Sequence, residues 1–220
     1  MLAVSERTQK LPLENNIALI LLAAGYSSRM KAFKPLLPLG ESTVIETTID
    51  VFLNAGIKNI IVVIGYKADK LKSVLNEKGI RWIYNDKYNE GMYSSVLAGV
   101  RSLPDGIKGF FLLPSDMPLI KSQTIEKLTD AYWKYNPNLV YPVFMDRRGH
   151  PPLISSKLLQ EILTHDGTKG LNGVLGKYKD GALHIEVEDE GIHIDMDTYN
   201  DYLNIYNKIR CLRPISIGKA

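Results

Sequence analysis

The sequence predicts a three-layer α/β fold built on a mostly parallel mixed sheet, and three observations carry that expectation. Unbroken apolar runs recur at residues 17–23, 60–64 and 110–113, each bounded by turn residues. Such runs form strands buried on both faces, the habit of a parallel sheet covered by helices. Between them lie segments with apolar residues at helical spacing, and the strict alternation of the two patterns predicts right-handed crossovers with helices packed on the sheet.

Taken in order, the first strand covers residues 17–23, and a helix follows with Val44, Ile45, Thr48, Ile49 and Phe52 on one face. The second strand is followed by a helix carrying Leu71, Val74 and Leu75, then by an amphipathic strand over residues 80–84. Residues 90–96 open a helix whose apolar face includes Val96 and Val100, with Ser94 and Ser95 placed to cap it. After the strand at 110–113, Ile125, Leu128 and Tyr132 mark a further helix. Beyond Pro137 the pattern changes: residues 139–144 predict a strand, 146–149 a turn, and 155–163 a short helix opened by a Ser cap. A period of two over residues 192–197 predicts an extended segment with Ile192, Ile194 and Met196 on one face and His193, Asp195 and Asp197 on the other. Thr198 then caps a last helix bearing Tyr202, Leu203, Ile205, Tyr206 and Ile209. No linker rich in Gly, Ser or Pro divides the chain, so one domain over residues 17–211 is expected between tails at 1–16 and 212–220.

Composition narrows the function. Hydrophobic content of 45% with 23% charged residues fits a globular chain and argues against disorder or a fibrous class. The net charge of +3 is spread without a basic run or a Lys/Arg stripe, which argues against a nucleic-acid partner. The longest apolar stretch falls far short of the roughly 20 residues that cross a bilayer, so no membrane partner is expected. Cys211, the single cysteine, supports neither an internal disulfide nor a thiolate zinc site, and a reducing, cytoplasmic setting is expected.

In open α/β sheets ligands sit beyond the carboxyl ends of the strands, which directs attention to the loops after Ala23, Tyr84, Leu113 and Ile194. The first runs Leu22-Ala23-Ala24-Gly25-Tyr26-Ser27-Ser28-Arg29-Met30-Lys31-Ala32-Phe33-Lys34-Pro35. Small residues after a buried strand let backbone N–H groups approach an anion, the two serines add donors, and Arg29 and Lys34 add charge suited to phosphate. The same composition also describes a surface turn with two solvated cations. Neither the Walker spacing nor G-x-G-x-x-G occurs here, which excludes the two commonest nucleotide loops.

Asp116, in Pro114-Ser115-Asp116-Met117-Pro118, stands at the end of a central strand, where a carboxylate can join Mg²⁺ to phosphate oxygens; a turn or cap Asp is the alternative. Asp195 and Asp197 point the same way in the period-two segment, and either is a second carboxylate for the metal or simply a charge near cations or a helix N-terminus. Asn85 closes a strand, and Ser95 at a helix start could face a nucleotide as well as cap. Arg147-Arg148-Gly149-His150-Pro151 is a cationic turn able to receive an anion, or an exposed hairpin tip.

These residues together resemble the molybdenum cofactor nucleotidyltransferase family. Leu22-Ala23-Ala24-Gly25 followed by Ser27, Arg29, Met30, Lys34 and Pro35 is similar to its L-A-A-G-x-S-x-R-M-(x)n-K-P signature, with Lys31 where the family often has Gly. Ser115-Asp116-Met117-Pro118 resembles its Gly-Asp-Met-Pro, and Asp195, Asp197, Thr198, Asp201 and Tyr202 match its Asp-x-Asp-Thr-x-x-Asp-Tyr. The resemblance implies a Rossmann-like nucleotidyltransferase fold, a triphosphate held by the first loop, catalytic roles for Arg29, Lys34 and Asp116, and Mg²⁺ on Asp116 and Asp197. It implies Asn85 and Ser95 near the base and ribose. Arg148, Gly149, His150 and Pro151 fall on the acceptor side, as do Asp166 and Gly167, which match an acceptor loop with His165 in place of its first Gly. The implied acceptor is of the molybdopterin type, with contact to a molybdoenzyme or its maturation factor. Ala24, where the guanylyl branch has Gly, favours CTP. A sugar-phosphate or isoprenoid acceptor, or a nucleotide-binding module without turnover, is the alternative.

Overall fold

The computed structural model describes residues 16–26, 30 and 32–212. Its first strand, β1 (Ile17–Ala23), is buried along its whole length, as the unbroken apolar run predicts. A short hairpin of β2 (Pro38–Leu39) and β3 (Ser42–Thr43) leads into α1 (Val44–Asn54). A reciprocal capping box fixes the start of α1: the Glu46 N–H donates to Thr43 Oγ1 and the Thr43 N–H donates to the Glu46 carboxylate. The alternation then continues as expected through β4 (Asn59–Ile64), α2 (Ala68–Glu77), β5 (Arg81–Tyr84), α3 (Met92–Arg101), β6 (Gly109–Pro114) and α4 (Ser122–Tyr135).

The second half extends the same sheet. It contributes β7 (Leu139–Phe144), β8 (Arg147–Arg148), β9 (Leu153–Ser155), α5 (Leu159–Thr164), α6 (Leu171–Leu175), β10 (Leu183–Glu186) and α7 (Tyr199–Leu212). Among the described residues the main sheet has the order β10-β7-β9-β6-β1-β4-β5, with β8 on β7. β1 pairs in parallel with β4 and β6, β4 with β5, and β10 with β7; β9 runs antiparallel between β6 and β7.

The period of two along β1 divides the core. Leu19 and Leu21 pack with Ile45, Phe52, Leu71 and Ile125 on the face covered by α1, α2 and α4. Ala18, Ile20 and Leu22 pack with Val96, Val100 and Ile162 on the face covered by α3 and α5. At about 1.5–3 kcal/mol for each large apolar side chain fully buried, these two layers hold the strands in register. A third cluster of Met30, Leu39, Val44, Met196 and Ile205 ties the loop after β1 to the last helix.

Two local expectations are corrected. Residues 146–149 are not a turn: the chain reverses at Met145 and Asp146, both at positive φ, and Arg147 and Arg148 already pair with Phe144 and Val143. A two-residue turn with both φ positive matches the twist of the paired strands. Residues 192–197 form no strand, because the Asp189 carboxylate accepts the Gly191 N–H and closes a 3-10 turn over Glu190–His193; Ile192 and Met196 are nonetheless fully buried. The last helix forms as expected, with Ile205 buried and Leu203 39% exposed, since two helical positions lie about 200° apart around the axis.

Asp189 was not singled out from the sequence, yet it organises this region. α4 starts at Lys121 without a side-chain cap of its own. The Lys121 N–H (2.8 Å), Thr124 Oγ1 (2.6 Å) and the Gly191 N–H (3.0 Å) all donate to the Asp189 carboxylate, which is 1% exposed. Asp189→Ala strands two buried donors, Thr124 Oγ1 and the Gly191 N–H, at about 1–3 kcal/mol each before relaxation, and frees the more exposed Lys121 N–H, so a loss of about 3 kcal/mol is expected in urea unfolding. A loss below about 1 kcal/mol would show that water or other groups replace it readily.

Candidate functional site

The parallel strands β1, β4, β5 and β6 end on one edge of the sheet, and the segments that follow them meet there. Leu22, Ala23, Ala24 and Gly25 line a cleft of about 400 Å³ together with Lys34, Ser95 and Asp116. Ser27 and Arg29, expected in the same loop, lie outside the described residues. Met30 lies in the cluster with Met196, so the M of the motif is an apolar anchor for the loop.

Lys34 opens a 3-10 turn with Pro35 behind it and is 8% exposed. Its Nζ donates to Asp116 Oδ2 at 3.2 Å and to Asp197 Oδ1 at 2.9 Å. Three residues far apart in the chain thus meet at one ammonium, while Asp195 is exposed and does not share it. Burial pushes the Asp116 carboxyl above the usual carboxylate range; Lys34 pulls it back, and Asp195 adds to the upward shift. Asp197 is set by its neighbours: its N–H and that of Thr198 both donate to Asp201 Oδ2, and the Asp201 N–H donates to Thr198 Oγ1. That capping box, with the Met196 N–H on the Asp116 carbonyl at 3.0 Å, fastens the two acidic segments to each other.

The donor set fits a hard divalent cation. Two carboxylates converge on one point, and no group of three or more His, Cys, Asp and Glu residues forms a closed cage among the described residues. Mg²⁺ is commonly held this way, by one or two carboxylates with water and phosphate oxygens completing the shell.

Asp116 and Pro114 also belong to the wall of a second cleft, about 230 Å³, lined by Arg148, Gly149, His150 and Asp195. The His150 N–H donates to the Ile192 carbonyl at 2.9 Å, and Pro151 is buried behind it. The Arg148 guanidinium lies 4.2 Å above the Tyr141 ring, a cation–π contact that holds its planar fork at the rim. Desolvation, and then the Arg148 charge, hold the His150 imidazole below its ordinary range, against the pull of Asp195 and Asp116.

Other expected residues lie elsewhere. Asn85, 3% exposed, stands behind the first cleft: its Nδ2 donates to Ser94 Oγ (2.9 Å) and Ser95 Oγ (3.0 Å), and its Oδ1 accepts the Lys87 N–H. The capping role expected of Ser94 and Ser95 is corrected: α3 is entered through Gly91 at φ 97° with no side-chain cap, and Ser94 Oγ is directed at the Lys87 and Gly91 carbonyls. Glycine accepts that backbone freely, which leaves the serines to fix the preceding loop. Asp166 and Gly167 line neither cleft; the Asp166 carboxylate accepts the Thr168 N–H, and Gly167 packs beside Tyr93. Tyr26, Tyr88 and Met92 line the first cleft and were missed, since no spacing in the sequence marks them as neighbours.

With this geometry in place, comparison with known proteins is decisive at the level of family. The family model described as the MobA-like NTP transferase domain matches residues 19–182. The chain belongs to this family. Within it, the chain is 29% identical over 185 residues to the molybdenum cofactor cytidylyltransferase of Escherichia coli (strain K12), covering 84% of this chain and 92% of that one. The fold is shared with a nucleotidyl transferase from Methanothermobacter thermautotroptrophicus (TM-score 0.76, 24% identity, 90% of this chain and 100% of the other). It is also shared with Rv0371C of Mycobacterium tuberculosis H37Rv, solved as a complex with manganese (TM-score 0.72, 23% identity, 88% and 99%). The chain is therefore a Rossmann-like member of an NTP transferase family, and among its described residues no helix is long and apolar enough to cross a membrane.

Proposed function

We propose that the chain transfers CMP from CTP to the terminal phosphate of a molybdopterin-type acceptor, releasing pyrophosphate. One observation carries this reading: Asp116, joined to Asp197 through Lys34, stands in the wall shared by two clefts, so groups bound on either side meet at its carboxylate. The first cleft takes the nucleotide and the second, rimmed by Arg148, takes the acceptor. The similarity to a cytidylyltransferase across most of the chain supports the choice of nucleotide.

A phosphate monoester has a second pKa near 6 and is mostly dianionic at pH 7, so the acceptor oxygen attacks the α-phosphorus without a protein base. As the new P–O bond forms, the bond to the β-phosphate oxygen breaks and pyrophosphate leaves with the electron pair. The protein's task is positioning and charge neutralisation. Arg29 and Lys34 offset the charge on the triphosphate, and Arg148 orients the acceptor phosphate, to which a mostly neutral His150 adds a hydrogen bond. Asp116 and Asp197 would hold Mg²⁺, which when bound neutralises phosphate charge.

Pyrophosphate release, followed with molybdopterin, Mg²⁺ and CTP, GTP, UTP or ATP in turn, tests the proposal. CTP should be used at least tenfold better than GTP, and CTP with Mg²⁺ should raise the melting temperature most, because a ligand bound only by the native state stabilises it. Equal use of CTP and GTP would overturn the cytidylyl assignment, and release that ignores molybdopterin but follows a sugar phosphate would overturn the acceptor.

A further inference from the structure

The first cleft has two chemically distinct parts. Charge gathers at Lys34 and Asp116, whereas Tyr26 and Tyr88 bring aromatic rings to the same wall. Tyr26 follows the small-residue turn directly and is 50% exposed. Its ring lies 5.4 Å from that of Tyr88 and 5.0 Å from that of Tyr66, centroid to centroid. These are distances at which aromatic rings support one another, so the exposed ring of Tyr26 is backed by two others.

The backing depends on a close approach. A Cβ added at Gly65 would fall 2.7 Å from Tyr88 Cβ and 2.9 Å from Ala24 Cβ, so only glycine lets Tyr88 pack against the end of β4 beside Ala24. The Tyr66 N–H donates to the Ala24 carbonyl at 3.1 Å, which locks this corner to the turn after β1. Ala24 itself is 3% exposed and packed in the core cluster with Ala18, Leu22 and Val96. The corner is therefore a built surface in which the segments that follow β1, β4 and β5 support one exposed ring.

We infer that Tyr26 and Tyr88 form the surface on which the nucleobase lies, with Gly65 as the positioning residue that seats Tyr88. The inference rests on the nucleotide reading of this cleft. A triphosphate drawn to Lys34 and Asp116 leaves its base at the aromatic part, where a ring face accepts any base by stacking. Stacking supplies affinity and little discrimination between bases.

The test compares CTP with inorganic tripolyphosphate, each with Mg²⁺, by calorimetric titration of the full chain. Tyr26→Leu and Tyr88→Leu should each weaken CTP roughly tenfold or more, the scale of one lost stacking contact, while tripolyphosphate binding stays within about twofold. Tyr26→Phe and Tyr88→Phe should keep CTP affinity near that of the native protein. Gly65→Ala, with both tyrosines intact, should raise the KM for CTP at little change in kcat. Native CTP binding that is unaffected in the leucine variants, or equal losses of CTP and tripolyphosphate, would overturn the inference alone. A native protein that binds none of the four triphosphates would overturn both it and the nucleotide reading.

Discussion

Asp116→Asn should lower kcat by at least a hundredfold while leaving the melting temperature within a few degrees of native. The side chain is 21% exposed at a strand end, so the substitution opens no cavity, and Lys34 Nζ keeps its 2.9 Å contact with Asp197. Burial disfavours the ionised Asp116, which offsets part of the ion pair with Lys34 that the change removes. What is lost is the charge in the wall between the two clefts. One preorganised electrostatic contact to a reacting group is commonly worth about 2.7–4 kcal/mol, or roughly a hundred- to a thousandfold in rate. Pyrophosphate release at saturating CTP, acceptor and Mg²⁺, paired with a thermal melt, measures both quantities. Activity within threefold of native would remove Asp116 from the chemistry, and a collapse of the melting temperature would make it a structural residue.

The parts of the fold written in residue periodicity were legible before any coordinates. β1, β4 and β6 are apolar without interruption because both of their faces are covered, and α1, α2 and α4 show the faces they bury at helical spacing. Legibility failed where conformation depends on partners distant in the chain. The turn over Glu190–His193 exists because Asp189 accepts a local N–H while also holding α4, and nothing in the local alternation of residues 192–197 reports that. The reversal at Met145 and Asp146 needs two positive φ angles without glycine, and Met145 carries no turn signature, so the sequence places the turn one residue late, from Asp146. In the candidate site, Asp116 and Asp197 were found as carboxylates on promising segments, but their union through Lys34 is a tertiary fact. The same holds for Asn85, whose place behind Ser95 follows from burial and not from spacing.

Lys34→Met should have a double effect, on stability without divalent metal and on turnover with it. The ammonium lies between Asp116 and Asp197 with its own side chain 10% exposed, and methionine keeps the stem while removing the charge. Two carboxylates then face each other without the cation that bridges them. Breaking a fully buried pair costs about 3–5 kcal/mol; here about 2 kcal/mol is expected, because the Asp197 side chain is 34% exposed and water screens part of the repulsion. A divalent cation drawn to the same two carboxylates offsets that repulsion, so Mg²⁺ should raise the melting temperature of the variant more than that of the native protein. On the proposed function, turnover should still fall at least tenfold at saturating Mg²⁺, since a metal at the carboxylates would not take the place of Lys34 at the triphosphate. Thermal melts of both proteins across a Mg²⁺ series, with kcat measured at the upper end, separate the two effects. If the variant melts like the native protein and answers Mg²⁺ in the same way, the three groups do not act as one site.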